Sequence, residues 1–486
     1  MDELRDDKPL WGVGEVLKLA LPTAAGMVNA TIMQFVDGLM VSRLIGPQAL
    51  GAQFVGGIIS FVPVSLAMGT LSVVNTYVAQ NLGAGRLNRC GQYTWQGLHL
   101  ALAMGLLLLP VALLSGSLFQ AIAQLVVRMG GAPTAPEVLA MQAVYFRYLT
   151  AGAALTLMAR VMEQYFYGTH RPIVVFFVSV LAVGLNAVLD WVLIKGVWIF
   201  PAMGIEGAAL ATLIAWAVSF LLPLAIFLSR KDHARFATRN TWRFNRGEAA
   251  DILRIGWPSG VQFANDVLSW GVFVSVLVAY FGEVHKAASA AVMRYLHISF
   301  MPAVGVGIAA TALVGRYIGE GRPDLARRRT HAALAISIGY MGLCGLCFFL
   351  FRFRLLEVFV PAPQPGEFAT AADYARRLAE YTEIMRIGGW VMICAAVFQC
   401  FDAVGIVFIG ALRGAGDTLW PMLVTVGLSY GVTVGGGLAA VKWLPQLTSI
   451  GPWMAGSLYV VLLGIAVAWR FEGGAWRKID LLGRGR

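Results

Sequence analysis

The stretch Asn81-Leu82-Gly83-Ala84-Gly85-Arg86 returns as Tyr317-Ile318-Gly319-Glu320-Gly321-Arg322, 236 positions later. Working outward from this pair, Leu17, Pro22, Asn29, Gly46 and Gly69 recur as Leu253, Pro258, Asn265, Gly282 and Gly305 without a gap. Both copies sit among long apolar stretches. A duplicated set of apolar helices is how many secondary transporters are built, because two similar halves can rock about a site between them. The two Gly-rich stretches themselves read as tight helix–helix turns. No strand precedes either, so a dinucleotide-binding reading fails its context.

Composition points the same way. Of 486 residues, 58% are hydrophobic and 13% charged, where a soluble protein carries about a quarter charged. Twelve apolar segments can be drawn, at 14–42, 50–80, 93–126, 141–166, 173–194, 203–229, 250–281, 287–318, 330–351, 382–411, 419–441 and 451–470. Most reach the roughly 20 residues that cross a bilayer as helix. The alternation needed for a closed β-barrel is absent. The expected fold is an all-α membrane protein of twelve transmembrane helices in two six-helix lobes. An even number of helices per half relates the lobes by a pseudo-two-fold axis along the membrane normal.

The domain plan follows: a tail at 1–13, an N-lobe at 14–229, a linker at 230–249, a C-lobe at 250–470 and a basic tail at 471–486. The first apolar segment is too long for a signal h-region, so no cleavable signal peptide is expected. A cytoplasmic N-terminus puts most of the 37 Lys and Arg on the cytoplasmic side, as the positive-inside rule requires. Both termini are then cytoplasmic and the chain is a multi-pass protein of the inner cell membrane. The net charge of +11 is a topological signal, and no clustered basic face with aromatic platforms supports nucleic-acid binding. The five cysteines form no disulfide framework, and Cys344 and Cys347 read as small buried residues. The six histidines show no metal-ligand spacing such as HExxH, so an embedded enzyme is not expected.

Charges inside spanning helices are costly and usually face a cavity. Those here are Asp37, Arg160, Glu163, Asp190, Asp266, Arg294 and Asp402. Asn186 and Asp190 share one helix face at i, i+4 spacing. Pro22 and Pro258 each remove a backbone hydrogen bond and are the expected helix-bending positions. The alternative for these acids is a packing salt bridge to Arg160, Arg294 or Arg386, strongest for Glu163, three residues after Arg160. Arg294 and Asp266 would each be costly alone in helices seven and eight of one lobe, and pairing lowers that cost, so an Arg294–Asp266 interaction, direct or through water, is expected.

With these residues in view, the chain resembles the multidrug and toxic compound extrusion family, cation-coupled drug antiporters, over nearly its whole length. The resemblance rests on Leu19-Ala20-Leu21-Pro22, Phe35-Val36-Asp37-Gly38-Leu39-Met40-Val41-Ser42-Arg43-Leu44-Ile45-Gly46, Gln80-Asn81-Leu82-Gly83, Gly207-Ala208-Ala209-Leu210-Ala211-Thr212, Arg254-Ile255-Gly256-Trp257-Pro258 and Ala411-Leu412-Arg413-Gly414-Ala415-Gly416-Asp417-Thr418. It implies a twelve-helix V moving cationic or amphipathic small molecules through a central cleft by alternating access, in exchange for protons or sodium, with no cofactor. It also implies a cation- or proton-coupling network at Asp37, Asn186, Asp190 and Thr212, with Tyr145 as a helix-four member, and a C-lobe acidic site at Asp266 and Asp402. Sodium-type relatives carry Glu and a tyrosine where this chain has Asp266 and Phe398, and an amide where it has Arg294. Those departures favour protons, with sodium held by Asp37, Asn186, Asp190 and Thr212 as the alternative. The expected partners are the bilayer and small-molecule substrates, and the expected state is a monomer. A lipid-linked precursor flippase of the same superfamily is the competing function, for which a cluster of cavity arginines would be needed.

Overall fold

The computed structural model of the chain describes residues 12–128, 133–364 and 370–483. The expected N-terminal tail therefore lies outside the described residues except for its last two positions, as do the last three residues of the basic tail. Among the described residues there is helix and no strand.

Twelve spans follow one another: α1 Val13–Leu44, α2 Pro47–Gly83, α3 Leu87–Leu113, α4, α5 Pro172–Lys195, α6 Ile205–Phe227, α7 Arg246–Phe281, α8 Glu283–Gly319, α9 Pro323–Phe359, α10 Ala371–Ala415, α11 Leu419–Trp443 and α12 Ile450–Glu472. The fourth is a pair, Pro136–Ala151 and Ala153–Gly168, bent by 47°. Their outer faces are apolar and uncovered, with Leu107, Leu113 and Phe35 all more than two-thirds exposed. A soluble protein would bury such residues, whereas lipid tails solvate them. Trp198, Trp443 and Tyr280 stand exposed near one end of the bundle and Trp242, Trp257 and Trp469 near the other, matching aromatic belts at two interfaces.

Several helices outrun the apolar segments read from sequence. The 45 residues of α10 rise about 68 Å, well beyond a hydrocarbon core of about 30 Å. The expected segment 382–411 is thus the middle of a longer helix, and Arg413 lies inside it rather than after it. The polar linker is also more structured than expected. Arg230–Phe236 is a helix capped by Ser229, with Phe236 fully buried. Arg171 clamps Asp232 through both carboxylate oxygens at 2.7 and 2.8 Å. The last four residues of the expected linker already belong to α7.

The repeat has a direct structural meaning. A Cβ on Gly69 of α2 would come within 2.5 Å of the Ser259 carbonyl and 2.8 Å of Gly260 on α7. Its repeat-mate Gly305 on α8 would bring one within 2.5 Å of Ala24 on α1, and Ala24 is the repeat-mate of Gly260. One turn-end further, Gly83 sits on the Arg316 carbonyl and its mate Gly319 on the Gln80 carbonyl. The two halves therefore join through two symmetry-related crossings, α2 on α7 and α1 on α8, which only glycine permits at this backbone approach. Pro22 and Pro258 lie two residues before these contact points, within unbroken helices.

These crossings lie toward the end of the bundle that carries the linker. At the other end the lobes part. One buried cluster, around Val41, Tyr145, Leu149 and Ile205, draws only on α1–α6. Another, around Phe273, Val292, Phe398 and Trp453, draws only on α7–α12.

Candidate functional site

In the N-lobe, helix periodicity turns Asp37 and Val41 of α1 inward while Phe35 and Leu39 face out. On α5, Ala182, Asn186 and Asp190 lie on one buried face, as i, i+4 spacing requires. The packing brings five helices to a single point. Gln53 of α2 donates its amide to Asp37 Oδ2 at 2.8 Å, and Tyr145 of α4 donates its hydroxyl to the same oxygen at 3.5 Å. Thr212 of α6, whose hydroxyl donates to the Ala208 carbonyl at 3.1 Å, lies beside Tyr145. The carboxyl of Asp190 lies beside that of Asp37, within hydrogen-bonding reach.

Asp37, Tyr145, Asn186, Asp190 and Thr212 are all buried. No salt bridge reaches either acid among the described residues. Asp37 Oδ1, both oxygens of Asp190 and both polar atoms of Asn186 meet no partner. Buried polar atoms are almost always paired, and two adjacent carboxyls can bond each other only with a proton on one of them. The arrangement is an acceptor-rich pocket suited to a proton or a small hard cation. The oxygens of Asp37, Asp190, Asn186 and Thr212 would supply a cation's shell.

The C-lobe acids are placed differently. Asp266 on α7 and Asp402 on α10 lie within electrostatic range of each other and of Tyr459 on α12. Both are partly accessible, and neither takes a hydrogen bond from the described residues. The cation near Asp266 is Arg413. The expected Arg294–Asp266 pair is not formed. Arg294 is exposed, and its guanidinium lies 5.1 Å from the ring centre of Phe359. A long side chain on an exposed face of α8 lowers its energy by stacking on that ring while its charge stays accessible. Phe398 is packed in the C-lobe core. Around the acids run neutral contacts: Gln262 to Thr425 at 3.0 Å, Ser269 to Ser429 at 2.5 Å and Gln399 to Ser299 at 2.9 Å. Arg160 does pair with Glu163, at 2.7 Å, and Arg386 pairs with its neighbour Glu383.

Two residues of these sites were not singled out from sequence. Gln53 carries no charge, so a search for intramembrane charges passes over it, although an amide in an apolar helix is itself a signal. Arg413 falls two residues beyond the apolar window. Among the described residues no group of three or more His, Cys, Asp or Glu could hold a metal ion. All five cysteines are free, and Cys344 and Cys347 are only partly buried, against the expectation that they are core residues.

At the linker end, His170 sits in the turn between α4 and α5 with a left-handed backbone (φ 59°). Its Nε2–H points at the Ala312 carbonyl of α8, 3.3 Å away, and Nδ1 faces Arg316 at 3.5 Å. Burial first and the Arg316 cation second hold its pKa down at about 4, so the ring is the neutral tautomer that can accept from arginine.

Comparison with known proteins agrees with this geometry. The MatE family model matches residues 22–192 and 258–435, two blocks that start at the repeat-mates Pro22 and Pro258. The chain is similar to the multidrug resistance protein NorM of Burkholderia vietnamiensis, 28% identical over 468 residues and covering 94% of this chain and 93% of the relative. In fold it is similar to a MOP superfamily transporter from Pyrococcus furiosus, with TM-score 0.81 and 22% identity over 96% of this chain and 97% of that one. An outward-facing MATE family transporter of the same superfamily superposes with TM-score 0.78 at 22% identity, over 96% of each chain.

Proposed function

The chain belongs to the MatE family, and from that premise we propose that it is an antiporter that exports cationic or amphipathic compounds in exchange for protons by alternating access. The observation that carries the reading is the N-lobe pocket. Among the described residues two acids share it without a salt-bridging cation, and Asp190 has no donor there unless one of the two carboxyls is protonated. A proton loaded there relieves the repulsion between the carboxyls, and its loss restores it. The pocket therefore has two electrostatic states that a helix such as α1 can follow.

Joining at the linker end and parting at the other supports an outward-open state, with the linker side cytoplasmic on the Lys/Arg bias. Both acid sites are complete within one chain, which supports action as a monomer. The name of the Burkholderia relative supports a multidrug substrate range.

The test uses proteoliposomes loaded with a fluorescent cationic dye. Efflux is expected when a proton gradient is imposed without sodium, and none with a sodium gradient alone. Transport driven by sodium alone and insensitive to proton ionophores would assign the same pocket to sodium and overturn proton exchange.

A further inference from the structure

The linker between the lobes sorts its charges by sign. Both of its acids turn inward. Asp232 is buried and clamped by Arg171, and Glu248 is buried against Arg89 at 3.5 Å. Its cations Arg230, Lys231, Arg235, Arg239, Arg243 and Arg246 are all exposed. None of them forms a salt bridge among the described residues. C-lobe cations at the same end differ: Arg316, Arg327, Arg329 and Arg477 meet Glu320, Glu472, Glu15 and Asp324. The linker thus presents positive charge that its own acids do not offset.

This surface is held in place. Wholly buried Gln96 of α3 donates to the Arg243 carbonyl at 3.0 Å and accepts from the Asn245 N–H at 3.0 Å. Trp95 donates its indole N–H to the Thr238 carbonyl at 2.7 Å. Between the two Gln96 contacts, the ring of Phe244 lies edge-on to His99 of α3, 5.7 Å away. His99 shares a helix face with Leu102 and Leu106, both exposed on a spanning helix. Phe244 therefore continues an uncovered apolar stripe to the level of Arg243, and Trp242 is equally exposed, each at 57%. Apolar stripe, then aromatics, then cations is the order of a bilayer's edge, where aromatic rings sit among headgroups and basic side chains meet lipid phosphates. A single-stranded nucleic acid would need aromatics free to stack, whereas Phe244 is seated on His99.

We propose that the linker is a docking surface for anionic phospholipid headgroups of the leaflet it borders. The exposed cations hold the phosphates while the acyl chains cover Phe244 and the α3 stripe. This stands apart from the export reading and needs no transport to test.

The experiment uses the purified full chain in detergent, with phosphatidylglycerol and phosphatidylcholine of identical acyl chains added at equal concentration. Bound lipid is counted by native mass spectrometry. Wild-type protein is expected to retain the anionic lipid severalfold more than the zwitterionic one. Combining Lys231→Gln, Arg243→Gln and Arg246→Gln is expected to remove most of that preference. Combining Arg128→Gln, Lys195→Gln and Arg354→Gln, exposed cations at the opposite end of the bundle, removes the same charge and is expected to leave it. Equal retention of the two lipids by the wild type overturns the proposal with no variant needed. So does an unchanged preference in the folded linker variant, or an equal loss in the opposite-end variant, which would reduce the effect to net charge. Displacement of the anionic lipid by soluble glycerol phosphate would make this a free-phosphate site, and displacement by a single-stranded oligonucleotide a nucleic-acid surface. Either result overturns lipid docking.

Discussion

The two lobes are built on one register, yet they put opposite chemistry at the same place. The repeat-mate of Asp37 is Phe273, and that of Gln53 is Ser289. In the N-lobe, Gln53 donates to Asp37. In the C-lobe, Phe273 packs edge-on against Trp453 at 5.1 Å, and Trp453 donates its indole N–H to Ser289 at 2.9 Å. Phe273 and Trp453 are wholly buried. One lobe has a sealed polar pocket where the other has a sealed aromatic core. The C-lobe acids lie elsewhere and are partly accessible. The contrast separates two tasks. On the proposed function, the sealed pocket has room for a proton or a bare cation, whereas the partly accessible acids could meet a larger one. Duplication supplied the scaffold, and divergence at matched positions such as Asp37/Phe273 and Gln53/Ser289 separates the lobe with the enclosed charge from the lobe without it.

The sharpest way to break the comparison is to remove the N-lobe charge. Asp37→Asn and Asp190→Asn should each reduce proton-driven dye efflux by at least tenfold, with the protein still inserted and monodisperse. An asparagine keeps the shape and cannot exchange a proton. Full efflux in both variants would remove the N-lobe pocket from the mechanism. The mirror experiment is Phe273→Ala, which should cost about 3–5 kcal/mol of stability through cavity formation. Any surviving transport should keep its ion dependence. A changed driving ion in Phe273→Ala would show that the aromatic core takes part in coupling.

The shared part of the scaffold offers a smaller test. Gly69→Val and Gly305→Val should each destabilise the protein by about 1–3 kcal/mol, and by similar amounts, because they press on equivalent crossings. Gly184→Val, where an added Cβ meets nothing within 4 Å, should do far less. Markedly unequal penalties at the two crossings would mean that the pseudo-symmetry does not extend to energetics.

The smallest expected effect is at His170, which sits only on the N-lobe side of the junction. Folded, it resists protonation down to about pH 4, while its ordinary value is 6.5. Between those values the unfolded chain binds more protons, so this residue's contribution is complete above pH 6.5 and falls as the pH drops toward 4. The loss is on the order of 1–3 kcal/mol, and the new cation would face Arg316. Asparagine tolerates the left-handed backbone, so His170→Asn should flatten the fall in melting temperature between pH 6.5 and 4. Identical pH profiles for both proteins would place the junction's acid sensitivity elsewhere.

Much of the architecture is decided by sequence alone. Twelve apolar stretches and a gapless repeat require paired six-helix lobes, because lipid leaves a backbone no other way to satisfy its hydrogen bonds than helix or closed barrel. The i, i+4 spacing of Asn186 and Asp190 already puts them on one face. What only the tertiary structure decides is which partner each charge finds. Asp37 meets Gln53, Tyr145 and Asp190 because five helices converge, and no local period encodes that convergence. Asp266 faces Arg413 instead of Arg294 for a related reason. Hydropathy windows end where apolar residues end, whereas a helix continues until its hydrogen bonding stops. An arginine just past the window can then reach back into the bundle, while Arg294, inside its helix, turns outward onto an aromatic ring.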